Sequence, residues 1–361
     1  MKNDSKMIIL LVSILLMIGV VMIYSSSAVY AYRTYGNSLY FVLRHLAYVA
    51  VGLFAAVFCM MPPAKKIADN SRNIMLCALF LLLMVIIPGV GKVAGGARRW
   101  ISFFGINIQP SELAKFALII YLADFTSRKR YLIENFRNGV LPPLFITGIT
   151  AGLVFLEPDM GTCISILFVG VVLLFVSGIR LKHLRTIAVW SLPALCTAII
   201  IAPYRIKRII IVFNPWKDPK GAGFQLVQSF IALGSGGFWG TGLGMSKQKL
   251  FYLPASHTDF IFSIIGEETG FVGAAFVLAL FTGLVWVSIR IAFRLRNVFA
   301  SRVVLGISII IAFEVMVNVG VSTGVLPTKG LPLPFISYGG SSLVSHLAAI
   351  GLILNMAREV E

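Results

Sequence analysis

The chain is poor in charge and poorer still in acid: charged residues make up 12% of its 361 positions, with 14 Asp and Glu against 31 Lys and Arg. Ordinary soluble domains carry about twice that charged fraction, so a surface built to face water is excluded. Cysteine and histidine are scarce as well, four of each. Cys59, Cys77, Cys163 and Cys196 lie singly within apolar runs and lack ligand spacing, which argues against a disulfide framework or a zinc motif and reads them as small buried hydrophobes. His45, His183, His257 and His346 are scattered in the same way. No G-x-x-x-x-G-K-[ST] occurs. The glycine runs Gly234 to Gly237 and Gly240 to Gly244 follow no strand of a βαβ unit, so they read as tight loop packing and an ATP-driven pump is not supported. With no long linker, charge block, low-complexity tract or internal repeat of the alternating-access kind, one domain over residues 1–361 is expected.

What the chain has instead is apolar length. Hydrophobic residues reach 58% and the mean hydropathy is +0.92, more than a soluble core of this size can bury, which predicts an all-α integral membrane protein. About ten runs satisfy the roughly twenty-residue requirement for a span. They begin near Met7, Phe41, Asn73, Ser111, Gly139, Thr162, Thr186, Phe260, Val303 and Phe335, leaving residues 203–260 as a large extracytoplasmic loop between the seventh and eighth. The run from Met7 to Ser25 is too long for a signal-peptide core and reads as an uncleaved first helix. Lys2 and Lys6, Lys65 to Arg72, Arg128 to Arg137, Arg180 to Arg185 and Arg290 to Arg302 mark alternate connections, which puts those connections and both termini in the cytoplasm.

Two connections assigned to the outer side break that rule by being basic: Lys92, Arg98 and Arg99 in one, and Arg205, Lys207, Arg208, Lys217, Lys220, Lys247 and Lys249 in the other. Cations there are suited to phosphate or diphosphate, with headgroup contact the plainer reading. The net charge of +17 is spread over loops on both faces, so nucleic acid is not an indicated partner, whereas membrane lipids are. Asp259, in the run Pro254 to Phe260, is a carboxylate set among those outer cations, a combination fit for chemistry on an anionic, lipid-borne substrate. Within the same loop Phe224 to Leu233 reads as a short amphipathic or re-entrant helix, with Phe224, Val227 and Ile231 on one face.

Ionisable residues in spans are costly and are candidates by default. Glu112 and Lys115, one turn apart, are read as neutralising one another. Glu267 and Glu268 head a span two turns after Asp259, and Glu314 precedes Asn318 by one turn. Glu157 and Asp159 flank Pro158 in a short outer turn, where they either cap it or line an outer cavity.

Asn318, Gly324 and the run Pro327-Thr328-Lys329-Gly330-Leu331-Pro332-Leu333-Pro334-Phe335-Ile336-Ser337-Tyr338-Gly339-Gly340-Ser341-Ser342 resemble the signature of the SEDS family (FtsW, RodA and SpoVE). Gly96 to Ile101, Gln109 to Glu112, Glu157 to Thr162, Asn214 to Pro219 and His257 to Phe262 resemble its other blocks, in family order along the whole chain. Ala202 to Arg208 and the Asn-Pro-Trp box are closer to the division and sporulation branch than to the elongation branch. The resemblance implies a ten-helix peptidoglycan glycosyltransferase that polymerises lipid II on the outer face of the bacterial cytoplasmic membrane, in division or sporulation, with a class B penicillin-binding protein as transpeptidase partner. It places the essential carboxylate at Asp259, the first-loop tryptophan at Trp100 and the motif lysine at Lys329. One position departs from the pattern: Ala255 stands where the family usually carries Glu.

Such a reaction needs a base for the attacking sugar hydroxyl and cations for the departing diphosphate. Asp259, expected to keep the ordinary aspartate value of about 4 and to stay ionised at pH 7 beside its cations, serves as the base. Arg98, Arg205, Lys207, Arg208 and Lys329 are the expected diphosphate ligands, and Trp100, His257 and Ser337 complete the substrate-binding set. An α-linked donor giving a β-1,4 product inverts once, so no covalent sugar-enzyme intermediate is required. A second role stays open for Asp259, holding a divalent cation such as Mg2+ or Mn2+ against the diphosphate. Two functions of other classes stay open too: a lipid II flippase, using Lys115, Glu112 and Glu314 as a polar path, and a non-catalytic scaffold for the transpeptidase.

Overall fold

A computed structural model describes residues 2–94, 97–103, 106–129, 131, 134–200, 203–250, 253–254, 256–328 and 330–358. The apolar runs become ten long helices: α1 (Lys2–Tyr35), α2 (Tyr40–Cys59), α4 (Ser71–Ile86), α5 (Pro110–Arg128), α6 (Leu141–Leu156), α7 (Met160–Val176), α8 (Leu181–Ile200), α11 (Ile261–Arg294), α12 (Val298–Ser322) and α13 (Gly340–Arg358). Three short helices, α3 (Ala64–Asp69), α9 (Pro203–Phe213) and α10 (Phe224–Gly236), lie between them. Among the described residues six helices are long and apolar enough to cross a membrane, and α4 and α7 are shorter apolar ones.

The least apolar of the long helices sits in the middle. α5 packs against α4, α7, α12 and α13, and all but a few of its residues are buried, Glu112 and Lys115 included. Burial at that depth requires pairing. Lys115 Nζ lies 3.0 Å from Glu112 and bonds Glu314 of α12, whose other oxygen lies 2.6 Å from His346 Nε2 of α13. The Glu112–Lys115 pairing expected from the spacing is therefore present, as two members of a closed chain of four that ties three helices together.

The all-α bundle carries one addition and departs from expectation at three points. Beside the helices, β1 (Gly91–Ala94), β2 (Ala97–Phe103) and β3 (Ile106–Ile108) form a small antiparallel sheet in order β1-β2-β3. The last helix starts at Gly340 rather than near Phe335, because Phe335, buried, holds φ +64°, outside the right-handed helical region. α10 buries Leu226, Val227, Ser229 and Ala232 and leaves Ile231 exposed, so its inner face is rotated from the one expected. Of the cysteines, Cys163 is buried but Cys77 is exposed, and the Cys196 side chain lies outside the described residues.

The glycine runs pack tightly at Gly236 and Gly240 only; a Cβ on Gly234, Gly237 or Gly244 would meet nothing within 4 Å. Gly270 breaks α11 with φ +68°, and the Glu267 and Glu268 carbonyls there accept from Thr241 N (2.9 Å) and Gly242 N (3.0 Å). A Cβ on Gly240 would come within 2.7 Å of Gly270 N. The two acids themselves are absorbed by the same loop: Glu267 accepts from Lys247 N at 2.8 Å, and Glu268 pairs with buried Lys249 at 2.8 Å. Lys249, expected among the phosphate-binding cations, is thus committed to a carboxylate.

Candidate active site

Four connections meet at one end of the bundle: the sheet, the turn between α6 and α7, the turn before α11, and residues 326–339 between α12 and α13. The last is built from Pro327, Pro332 and Pro334, which cannot donate backbone bonds, so side chains do the joining. Asn318 Nδ2 donates to Asp259 O (2.9 Å) and Leu331 O (2.8 Å). Ser337 Oγ donates to Thr258 O (2.7 Å) and accepts from Leu333 N (2.8 Å), and Tyr338 N donates to His257 O (2.9 Å). Three successive carbonyls, of His257, Thr258 and Asp259, are pinned in this way, which fixes where the Asp259 side chain can go. Its carboxylate lies on Gly330: a Cβ there would stand 2.8 Å from Oδ2.

Arg208 crosses from α9 to the same segment, donating to Thr328 O at 3.1 Å. Lys207 is exposed beside it. Of the other expected diphosphate ligands, the Arg205 side chain and Lys329 lie outside the described residues, as does Ala255. Arg98 is turned away: it donates to Ile86 O at 3.4 Å at the end of α4, and its Nε is buried without a partner. Trp100 is half-buried on the same strand, opposite Lys92.

Its neighbour Arg99 also reaches the site; the sequence reading placed it among the basic outer-loop cations but not among the diphosphate ligands. Lys92 pairs with Trp100 and Val93 with Arg98, so Arg99 is the extra residue of a bulge, a feature that re-aims a side chain. Arg99 Nε donates to Glu157 O (2.9 Å), its guanidinium also bonds Pro158 O, and Nη1 stands 4.0 Å from Asp159. Asp159 caps α7, accepting from Thr162 N (3.2 Å) and Thr162 Oγ1 (3.0 Å), and takes a third bond from Gln109 Nε2 (3.1 Å). Of the alternatives left open for Asp159, capping is the one realised, and its charge also acts on Asp259.

The electrostatics differ from expectation in a defined way. Burial, and then the charge of Asp159, push the Asp259 carboxyl up to about 6, outweighing the opposing pull of Arg208 and Arg99. The cations are near, but the low-dielectric seat wins. A carboxylate poised there is still mostly ionised at pH 7 and is a stronger base than an ordinary aspartate. Activity is accordingly expected to fall about tenfold per pH unit below pH 6, read as kcat/KM against pH; a flat profile down to pH 4.5 would contradict it. Burial holds His257 down at about 4, so at neutral pH it is an uncharged ring.

Glu157 is buried with both carboxyl oxygens unpartnered, and burial followed by the Asp159 charge, against Arg99, raises it from 4.5 to about 8. A group raised on folding binds a proton as the chain folds, so its contribution to stability is whole below about pH 4.5 and is lost as pH rises through about 8. Glu157→Gln keeps the protonated shape and is expected to raise the melting temperature at pH 8 and leave it nearly unchanged at pH 4.5. A variant that melts below wild type at pH 8 would refute this.

Among the described residues no group of three or more His, Cys, Asp or Glu side chains is gathered as metal ligands. Asp259 and Asp159 do not by themselves form a resident metal centre.

Residues 5–361 match the family model FTSW_RODA_SPOVE, described as cell cycle protein. The chain is 43% identical over 358 residues to Stage V sporulation protein E of Bacillus subtilis (strain 168), covering 99% of this chain and 98% of that protein. It is 41% identical over 352 residues to the probable peptidoglycan glycosyltransferase FtsW of Geobacter sp. (strain M18), covering 97% and 96%. Among solved structures it resembles, with TM-score 0.79 and 30% identity over 97% of this chain and 96% of the other, a chain from a peptidoglycan synthase complex studied for its structural coordination of polymerization and crosslinking. A bundle of apolar helices carrying these blocks in order, matched from end to end, belongs to the FtsW/RodA/SpoVE family, the SEDS proteins, and is a multi-pass membrane protein.

Proposed function

We propose that this protein is a peptidoglycan glycosyltransferase that polymerises lipid II at the outer face of the bacterial cytoplasmic membrane, in division or sporulation, alongside a class B penicillin-binding protein. The carrying observation is the seat of Asp259: a carboxylate held on Gly330 by three pinned carbonyls, with Arg208 and Arg99 brought to it from two other connections. The names of its relatives support the reaction, and the synthase complex supports the partner. In this reading all ten long helices cross the membrane, both termini are cytoplasmic, residues 1–361 form one polytopic domain, and 203–260 is the large outer loop.

The chemistry follows from the geometry. Asp259 takes the proton of the acceptor sugar hydroxyl as that oxygen bonds the anomeric carbon of the donor. The C–O bond to the diphosphate breaks on the opposite face, with one inversion. Charge growing on the leaving diphosphate favours cations already in place: Arg208, with Lys207, Arg205 and Lys329 of the same two segments, while Arg99 holds the 157–159 turn. Trp100, His257 and Ser337 are the remaining substrate-side groups, Ser337 through the loop it pins. Arg208→Ala is expected to lower kcat/KM for lipid II by about ten- to a hundredfold with normal membrane insertion; unchanged turnover would remove Arg208 from the diphosphate site. A translocation path through Glu112, Lys115 and Glu314 is disfavoured, because those groups are committed to one another and to His346.

A further inference from the structure

Beside Asp259 the outer ends of α1 and α2 meet the two loops in a cluster of rings of which the proposed chemistry uses only His257. Phe41, buried, is its hub: Tyr30, Tyr35, Tyr40, His257 and Tyr338 all have ring centroids within 6.0 Å of it. Tyr35 and Tyr40 are stacked at 4.0 Å with an interplanar angle of 10°, and Tyr30 stacks on His257 at 6.0 Å and 27°. Arg44 lies over the Tyr40 ring at 4.7 Å. The cluster joins the active-site backbone through His257, two residues from Asp259, whose carbonyl accepts from Tyr338 N at 2.9 Å.

Its outer edge is open. Tyr35 is 50% exposed and Tyr30 38%. Tyrosines at a membrane boundary commonly anchor singly among headgroups. These differ in being packed ring against ring into one wall whose far edge is the loop of the catalytic carboxylate. A π face is electron-rich, and the ligand class it suits at such a place is a saccharide ring, whose C–H bonds are polarised by the ring oxygens and gather on one face. Arg44, exposed at the rim and bonded to the Tyr338 phenol, adds a polar group beside the rings, the mixture of apolar wall and few polar groups that fixes a small ligand in orientation.

We infer that this aromatic wall, opened at Tyr30 and Tyr35, is a saccharide subsite that stacks an N-acetylated hexose ring of the glycan next to Asp259. The inference rests on the glycosyltransferase reading for its ligand class. It is tested by a measurement that needs no turnover: saturation-transfer NMR between the full-length protein in nanodiscs and the soluble disaccharide N,N′-diacetylchitobiose. Wild type is expected to transfer saturation to the sugar ring protons. Tyr30→Leu/Tyr35→Leu, which keeps apolar bulk but loses both faces, is expected to lose most of that signal, and Tyr35→Phe to retain it. Equal transfer in the double-leucine variant, or none in wild type, overturns the subsite whether or not the protein polymerises. In the polymerisation assay the double-leucine variant is expected to raise KM for lipid II about tenfold, with kcat within about twofold. Wild-type KM in that variant, with anchoring in the bilayer weakened instead, would assign the wall to the headgroups.

Discussion

Asp259→Asn is expected to insert and fold as wild type and to make no glycan polymer, a loss of at least about a thousandfold. The amide keeps the shape of the carboxyl and can rest on Gly330, while the backbone bonds that pin the segment, from Asn318, Ser337 and Tyr338, do not involve the side chain. What disappears is the base. Positioned proton transfer contributes about a hundred- to ten-thousandfold, and here the same group also opposes the charge of Arg208 and Arg99. Replacing a carboxyl raised to about 6 by a neutral amide costs the fold little, because burying the charge was itself unfavourable. Melting temperature and glycan synthesis should therefore separate. Polymer from pure variant protein at more than a few per cent of the wild-type rate would show that another group takes the proton.

The second large effect comes from a residue without a side chain. In Gly330→Ala the new methyl would stand 2.8 Å from Asp259 Oδ2 and 3.3 Å from its Cγ. The backbone of Asp259 is fixed by Asn318, so the carboxylate has to rotate away. A displacement of about 1 Å at a reacting group costs on the order of a hundredfold. Gly330→Ala is expected to lose about that much in kcat with KM for lipid II within about threefold, and to change the melting temperature little, since Gly330 is exposed. A fall in KM-controlled binding with kcat intact would instead mean that the methyl blocks substrate and leaves the base where it was.

The parts of this molecule legible in its sequence are those that depend on composition over a length. Each of the apolar runs became a helix, and the motif carrying Asp259 pointed to the site proposed above, because a hydrophobic span and a run of polar residues at its edge are one-dimensional signals. The parts that were not legible depend on register. Nothing in Lys92-Val93 or Arg98-Arg99-Trp100 announces a bulge, yet the bulge decides that Arg99 faces the site while Arg98 caps α4. The apolar count of Leu331 to Ile336 looks like the start of a span, but the left-handed Phe335 holds it as a loop. The raised carboxyl of Asp259 was misjudged for a related reason: nearby cations can be counted in a sequence, whereas the burial that outweighs them, and the arrival of Asp159 from the α6–α7 turn, exist only in the fold. The aromatic wall joins residues from four separate segments, and no pattern within one of them reveals it.

The most direct measurement is a gel of glycan strands made from labelled lipid II by purified wild-type protein and by Asp259→Asn, each with the cognate transpeptidase and each verified as folded. The account predicts a ladder of polymer from wild type and unreacted lipid II from the variant. Polymer in both lanes would leave the enzyme and remove its base, and polymer in neither would contradict the glycosyltransferase itself.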